Sequence, residues 1–208
     1  SDNEYDILRE FTLDKFPDNK IAMDGHASCE VTKNKTNLPY EMWSMNKIKP
    51  ENNAVKKYCK EYHGPYILSC KLDGVSGLYS TENGESKLYT RGNGVVGQDI
   101  SHLIPYLNLP TEKDITVRGE FIICKEKFNK YFAKDFNNAR NFVAGVINQK
   151  KIEPAKYKKI DFVADEMIKP YGLKASQQMK LISNLGFNCV RCVSSKKITN
   201  EILSDLLL

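Results

Sequence analysis

No run of apolar residues in this 208-residue sequence approaches the ~20 that a membrane helix needs, so nothing in it is expected to span a bilayer. Six cysteines, at positions 29, 59, 70, 124, 189 and 192, are too irregularly spaced for a disulfide framework, and no apolar stretch precedes a small-residue cleavage site. Reduced thiols and an intracellular setting are expected: cytoplasm or nucleoid, or a viral replication site if the source is a virus. Trp43 is the single tryptophan and is read as a packing residue, while His26, His63 and His102 stand alone, outside any triad-like setting. Neither charge sign dominates: 31 Lys+Arg against 26 Asp+Glu leave +5, too modest for a plain basic DNA-binding domain, and no helix-turn-helix pattern is present. A hydrophobic fraction of 41% excludes a disordered tail. The lysine-rich run 150–159, KKIEPAKYKK, suits either a polyanion partner or a solvated face.

What is there reads as an α+β chain. SDNEYDILREF predicts a helix, with Ser1 and Glu4 at capping-box spacing and Ile7, Leu8 and Phe11 on one face. Residues 17–37 are polar and irregular and read as a linker. The segment YILSCKLDGVSGLY predicts two strands around a glycine break, with Ser69, Lys71 and Asp73 on one face and Leu68, Cys70 and Leu72 on the other. Asn83-Gly84 predicts a hairpin turn. The strand ITVRGEFII sets Arg118 and Glu120 opposite Val117 and Phe121. Beyond it, 125–150 turns helical, with Phe142, Val143, Val146 and Ile147 spaced for burial. A strand near 160–164 and a helix over 176–185, stopped by Gly186, follow. Hairpins as well as helices join the strands, which excludes regular βαβ winding.

The sharpest chemical feature is Lys71-Leu72-Asp73-Gly74. A lysine amine becomes a nucleophile when desolvation or nearby cations pull its pKa down from ~10.4, and a buried sheet face beside a nucleotide achieves that. Asp73 would share its pocket, and Gly74 would let backbone approach a ligand. Read bare, the same four residues fit a surface strand with a turn glycine. Their company changes the reading: Asp2-Asn3-Glu4-Tyr5-Asp6 and Met42-Trp43-Ser44-Met45 stand upstream. Thr90-Arg91-Gly92-Asn93-Gly94 with Gly97-Gln98-Asp99, Val117-Arg118-Gly119-Glu120, and Asn138-Ala139-Arg140-Asn141 with Ala144-Gly145 stand downstream. In these segments, in this order, the sequence resembles the adenylation half of NAD-dependent DNA ligases, which carries KxDG, TRGDGxxGED, RGE and NPRNxxAG motifs.

The resemblance implies the nucleotidyltransferase fold, antiparallel sheets with flanking helices behind a short N-terminal helical piece. It divides the chain into the end of a nicotinamide-mononucleotide-binding piece (1–20), a linker (21–37) and an adenylation domain (38–208) incomplete at its C-terminus. It implies that Lys71 attacks the α-phosphate of NAD, releases nicotinamide mononucleotide and keeps AMP for the 5′-phosphate of a nick in double-stranded DNA, with Mg2+ as the accompanying cation and a monomer acting. Arg91 and Glu120 become nucleotide-pocket contacts, Asp73 orients the ribose or supports the lysine, and Arg140 faces phosphate or the nick. The bare readings beside these are an Arg118–Glu120 salt bridge and an exposed charge at a helix start. Asp2, Tyr5 and Asp6, one side of a helix, match the family's D-x-x-Y-D segment, where carboxylates and an aromatic face hold a cationic pyridinium ring; at a helix N-terminus the acids also serve as simple dipole partners. Ser44 and Met45 match a serine–leucine pair on the dinucleotide, with a helix cap and core filler as their plain alternatives.

The departures are specific. Ser69 stands where the family has a Glu contacting adenine, Asn93 and Gln98 replace acids, Ala139 replaces Pro, and Asn148 replaces a second Arg. Ser76 stands where ATP-dependent ligases and capping enzymes carry the Arg of KxDGxR, which favours NAD. LPYEMWSMNK in place of a bacterial-looking PMLSLDN suggests a viral or otherwise distant branch. The DGVVVK strand and a later lysine-bearing strand are not in the chain, so a fragment trimmed at both ends is expected. The alternatives kept open are an ATP-dependent DNA or RNA ligase, a capping-type nucleotidyltransferase, and a noncatalytic nucleotide-binding module. Cys189-x-x-Cys192 lacks the second ligand pair of a zinc site and is read as incidental, so no resident metal site is expected.

Overall fold

The computed structural model describes residues 2–20, 22, 35–48, 53–149 and 153–207, with side chains from residue 7 to 206. Helix α1 (Asp2–Lys15) forms where the apolar spacing predicts it and gives way just before Pro17, whose ring cannot continue the turn. Its stripe, Ile7, Leu8 and Phe11, stays exposed. The last three residues of the polar stretch form β1 (Lys35–Asn37), and α2 (Ala54–Glu61) leads to β2 (Tyr66–Ser69) and β3 (Val75–Ser80). The hairpin partner β4 (Lys87–Thr90) is followed by β5 (Val96–Gln98) and β6 (Thr116–Ile122). Helices α3 (Lys125–Tyr131), α4 (Ala139–Asn148) and α5 (Pro154–Tyr157) precede β7 (Asp161–Lys169). Then come α6 (Ala175–Asn184), β8 (Asn188–Cys189), β9 (Cys192–Ser195) and α7 (Asn200–Leu207). Among the described residues, no helix is long and apolar enough to cross a membrane.

The main sheet has the order β4-β3-β6-β7-β8, antiparallel except for the β7–β8 pair, and β1–β5 and β2–β9 make two small antiparallel sheets. This is the α+β arrangement of mixed sheets and flanking helices that the connections imply. Asn83 and Gly84 take positive φ values of 59° and 77°, as the reversal between β3 and β4 requires, within a connection that also contains a short 3-10 turn.

One face of the main sheet carries the core. Tyr79, Leu88, Val117, Phe121, Phe162 and Ala164 meet the α4 stripe Phe142, Val143, Val146 and Ile147, all buried, with Ile182 of α6 and Phe187. Asn138 caps α4, its side chain accepting from the Asn141 amide at 2.7 Å. The opposite face follows from alternation: Ser76 lies across from Glu120 and Leu78 across from Arg118. The β6–β7 register shifts so that Arg118 faces Glu166 and Gly119 faces Ala164, leaving Asp165 as the extra residue of a bulge.

Candidate active site

The KxDG segment corrects one expectation at once. Residues 66–80 do form two strands around a break, but β2 and β3 belong to different sheets, and Lys71 and Asp73 sit between them in irregular backbone rather than on a strand face. The loop is pinned at both ends. The Cys70 amide donates to the Arg191 carbonyl at 3.1 Å and its thiol to the Leu206 carbonyl at 3.0 Å. Gly74 is buried so tightly that a Cβ there would lie 2.0 Å from the Phe121 carbonyl oxygen. The glycine is therefore required by the chain's own backbone, not by space kept for a ligand. Lys71 between these anchors is exposed. The dry sheet face predicted for it is not formed by the described residues, because the loop leaves the sheet before the lysine is reached.

The other picked positions are brought together. Asp73 meets Arg140 from the start of α4, Nη1 to Oδ1 3.2 Å, across 67 residues of sequence. Glu120 accepts the Ser76 hydroxyl at 2.8 Å, while Arg118 reaches Glu166 at 3.7 Å, so the simple Arg118–Glu120 bridge is not the arrangement. Arg91 extends from the end of β4, its amide bonded to the Ser76 carbonyl and its guanidinium donating to Ser44 Oγ at 3.2 Å. Burial, with the neighbouring Arg118 and Arg140 charges, pulls the Arg91 guanidinium below its ordinary value, and Glu120 works against that. Arg118 and Arg140 both lie within electrostatic reach of Arg91, and guanidiniums so gathered suit an anionic ligand with several phosphate oxygens.

A strap, residues 38–45, crosses this face. Its amides at Leu38 and Met42 donate to the carbonyls of Val95 and Gly94, Met42 is fully buried, and Ser44 arrives beside Arg91. The turn it lies on depends on Gly92 and Gly94, whose φ values are 54° and 99°. Asn93 keeps the turn despite standing where the family has an acid, because its Oδ1 accepts from the Val95 and Val96 amides at 3.1 and 2.8 Å. At the far end Tyr40 donates to Glu82 at 2.8 Å, and Glu82 also receives Lys169 at 2.7 Å and Thr116 at 2.5 Å.

Other expectations fare differently. Trp43 packs only in part: its ring lies beside Gly94, but it is 54% exposed, its Nε1 donating to Glu41. Met45 is 81% exposed, which removes the core-filler reading. Ser69 ends β2, exposed and paired with Cys192 in the small sheet, and is not drawn into the Arg91–Glu120 group. Asp2, Tyr5 and Asp6 lie on α1, and their side chains fall outside the described residues, as does the 150–152 part of the lysine run. Among the described residues no group of three or more His, Cys, Asp or Glu side chains comes together to hold a metal ion.

Sequence reasoning missed Asp165, because it ended the strand at Ala164 while β7 continues to Lys169. Asp165 Oδ1 is buried without a hydrogen-bond partner. Burial lifts the carboxyl from 3.8 to about 6, Arg118 opposing, Glu120 and Glu166 adding to the rise. A proton is then held more tightly folded than unfolded, so its contribution is favourable at low pH and is lost as pH climbs from 3.8 to about 6. Asp165→Asn is expected to stabilise the protein by about 1–2 kcal/mol at pH 7.5 and to do little near pH 4, read from urea titrations at the two pH values.

The comparisons with known proteins give the family. The family described as NAD-dependent DNA ligase adenylation domain matches residues 37–206. The chain is 39% identical to the DNA ligase of Acanthamoeba polyphaga mimivirus, over 100% of this chain and 33% of that protein. It is 36% identical to the putative DNA ligase 205R of Invertebrate iridescent virus 6, again over 100% and 33%. The DNA ligase of Clostridioides difficile (strain 630) is 31% identical over 72% of this chain and 25% of its own length. The chain thus spans about a third of the length of the viral relatives it matches. A match over residues 37–206, with viral relatives aligned over the whole chain, makes this chain a member of the NAD-dependent DNA ligase adenylation domain family, on a divergent, viral-type branch.

Proposed function

We propose that this domain takes AMP from NAD onto Lys71 for the sealing of nicks in double-stranded DNA. The amine nitrogen attacks the α-phosphorus of NAD and forms a P–N bond. The P–O bond to nicotinamide mononucleotide breaks, and the amine's proton passes to solvent or to the leaving phosphate. The observation that carries the reading is that Arg140, which holds Asp73 two residues from Lys71, and Glu120, which holds Ser76, both lie within electrostatic reach of Arg91, itself bonded to Ser44. Arg91, with Arg118 and Arg140 beside it, would bind the pyrophosphate oxygens, and Glu120 would accept from the ribose hydroxyls in place of Ser76. Mg2+ would enter with the phosphates and neutralise part of their charge; the described residues do not form a cage for it.

Lys71 is exposed in the free domain, so it would be the bound nucleotide itself that displaces water from the amine. That same exposure favours the second reading, a module that binds nucleotide without chemistry. Intact-mass measurement after incubation with NAD and Mg2+ separates the two. One added adenylate with NAD and none with ATP is the expected result; labelling by ATP alone would assign the domain to the ATP-dependent class, and no adduct with either would leave only binding.

The N-terminal helix bears on the choice of nucleotide. Asp2, Tyr5 and Asp6 would grip the pyridinium ring by charge and stacking. Asp6→Ala is expected to weaken nicotinamide mononucleotide binding at least about tenfold by calorimetry, the loss of one close opposite charge. Unchanged binding would reduce the helix acids to partners of the helix dipole.

A further inference from the structure

Part of the lysine-rich run left open above comes together with a second lysine-rich element. Residues 125–135 and 153–161 carry seven lysines and four carboxylates. Lys127 is held by Asp161 at 3.5 Å and Lys156 by Glu153 at 3.1 Å. Lys130 from α3 and Lys159 from the turn after α5 instead converge on one ring: their Nζ atoms lie 5.2 and 4.5 Å from the centroid of Tyr131, which is 48% exposed. Lys134 and Lys158 stand exposed in the same two segments.

The ring is fixed from beneath. Tyr131 packs on Phe132, which stacks on buried Phe142 at 4.0 Å, so the patch is mounted on the core. The Lys130 and Lys159 ammoniums also hold the Tyr131 hydroxyl below its ordinary pKa. Its place in the fold matters as much. Ile122 pairs with Asp161 and Val75 with Phe121, so the sheet end from which α3 departs is the end where Gly74 closes the Lys71 loop.

We infer that the Lys130–Tyr131–Lys159 surface docks the phosphodiester backbone of duplex DNA, at the sheet end that carries the Lys71 loop. Two like charges gathered at one aromatic ring repel each other, and a polyanion laid along the ring removes that cost. A ring flanked by ammoniums offers a phosphate its counterions and the adjoining sugar an apolar surface. The inference rests on the nick-sealing reading for its choice of polyanion, but not on the chemistry at Lys71.

The test is binding of a labelled nicked DNA duplex between 50 and 200 mM salt, by fluorescence anisotropy, for the protein and for Lys130→Gln/Lys159→Gln. Losing two phosphate contacts should make the plot of log affinity against log salt shallower by about 2 and weaken binding more than about tenfold at 0.1 M salt. Lys113→Gln/Lys180→Gln, which removes the same charge elsewhere on the surface, should leave the slope as it is. An unchanged slope in the first variant, or an equal change in the second, would overturn the inference. Adenylation by NAD is scored in parallel: its absence from the unaltered protein refutes the Lys71 reading, while normal adenylation with an unchanged slope refutes only the docking surface.

Discussion

Lys71→Ala is expected to abolish the adenylate adduct, a loss on the order of 10^4-fold or more, since removing a covalent nucleophile leaves only positioning and binding. Lys71→Arg should fail as completely, because a guanidinium stays protonated across the working pH range and has no free electron pair to give phosphorus. Binding of NAD, measured by calorimetry in the absence of Mg2+, should change by less than about threefold. The expected binding groups are on other elements: Arg91 at the end of β4, Glu120 on β6 and Arg140 on α4. An adduct that survives in Lys71→Ala, or that maps to another lysine in a digest, would remove the foundation of the proposed chemistry. Equal loss of binding and adduct would instead make Lys71 a binding residue.

Glu82→Ala should produce the largest loss of stability, about 2–3 kcal/mol, or ~5–10 °C in Tm for a chain of this length. Burial alone would raise the Glu82 carboxyl, but the hydrogen bonds from Lys169, Thr116 and Tyr40, with the Lys169 charge, outweigh it and bring it from 4.5 down to about 2. Truncation leaves the Lys169 ammonium and the Tyr40 hydroxyl without this acceptor; partial exposure of Lys169 keeps the loss below that of a fully buried pair. The sign in pH follows from the depressed value. The contribution is complete above 4.5, and it is lost as pH falls through about 2, so the unaltered protein should weaken on acidification across that window. Glu82→Gln should flatten this part of the curve. A denaturant series from pH 6 to pH 2 checks both statements, and a parallel curve for Glu82→Gln would show that the network contributes nothing.

The same substitution should reach the candidate site. Tyr40 and Ser44 are two side-chain anchors of the strap, and four residues of chain span at most ~14 Å, so releasing Tyr40 from Glu82 slackens the segment that sets Ser44 against Arg91. NAD binding by Glu82→Ala should therefore weaken at temperatures where the domain is still folded.

The local features were legible because each depends on neighbours a few residues away. The α4 stripe, the alternation of β6, the Asn83-Gly84 reversal and the glycine stop after α6 are encoded at the periods of helix and strand or in the φ freedom of one residue. Elements of two to four residues such as β1, β5, β8 and β9 hold too few side chains for a period to register, and β2 and β9 pair across more than a hundred residues. The motif order pointed to the family through residue types alone, but alternation placed Lys71 on a strand that the chain has already left.

By itself, then, the sequence determined which side chains exist to do the work, and in what order: one candidate nucleophile, three arginines, a glutamate, and the apolar stripes that would bury a core beneath them. Only the tertiary structure decided who meets whom. Arg140 finds Asp73, Arg118 takes Glu166 rather than Glu120, Asp165 falls in a bulge with one oxygen buried, and Lys130 and Lys159 close on Tyr131. Those pairings are set by sheet register and helix docking. A one-residue shift in either exchanges the two faces of a strand, so no count of spacings along the chain could have fixed them.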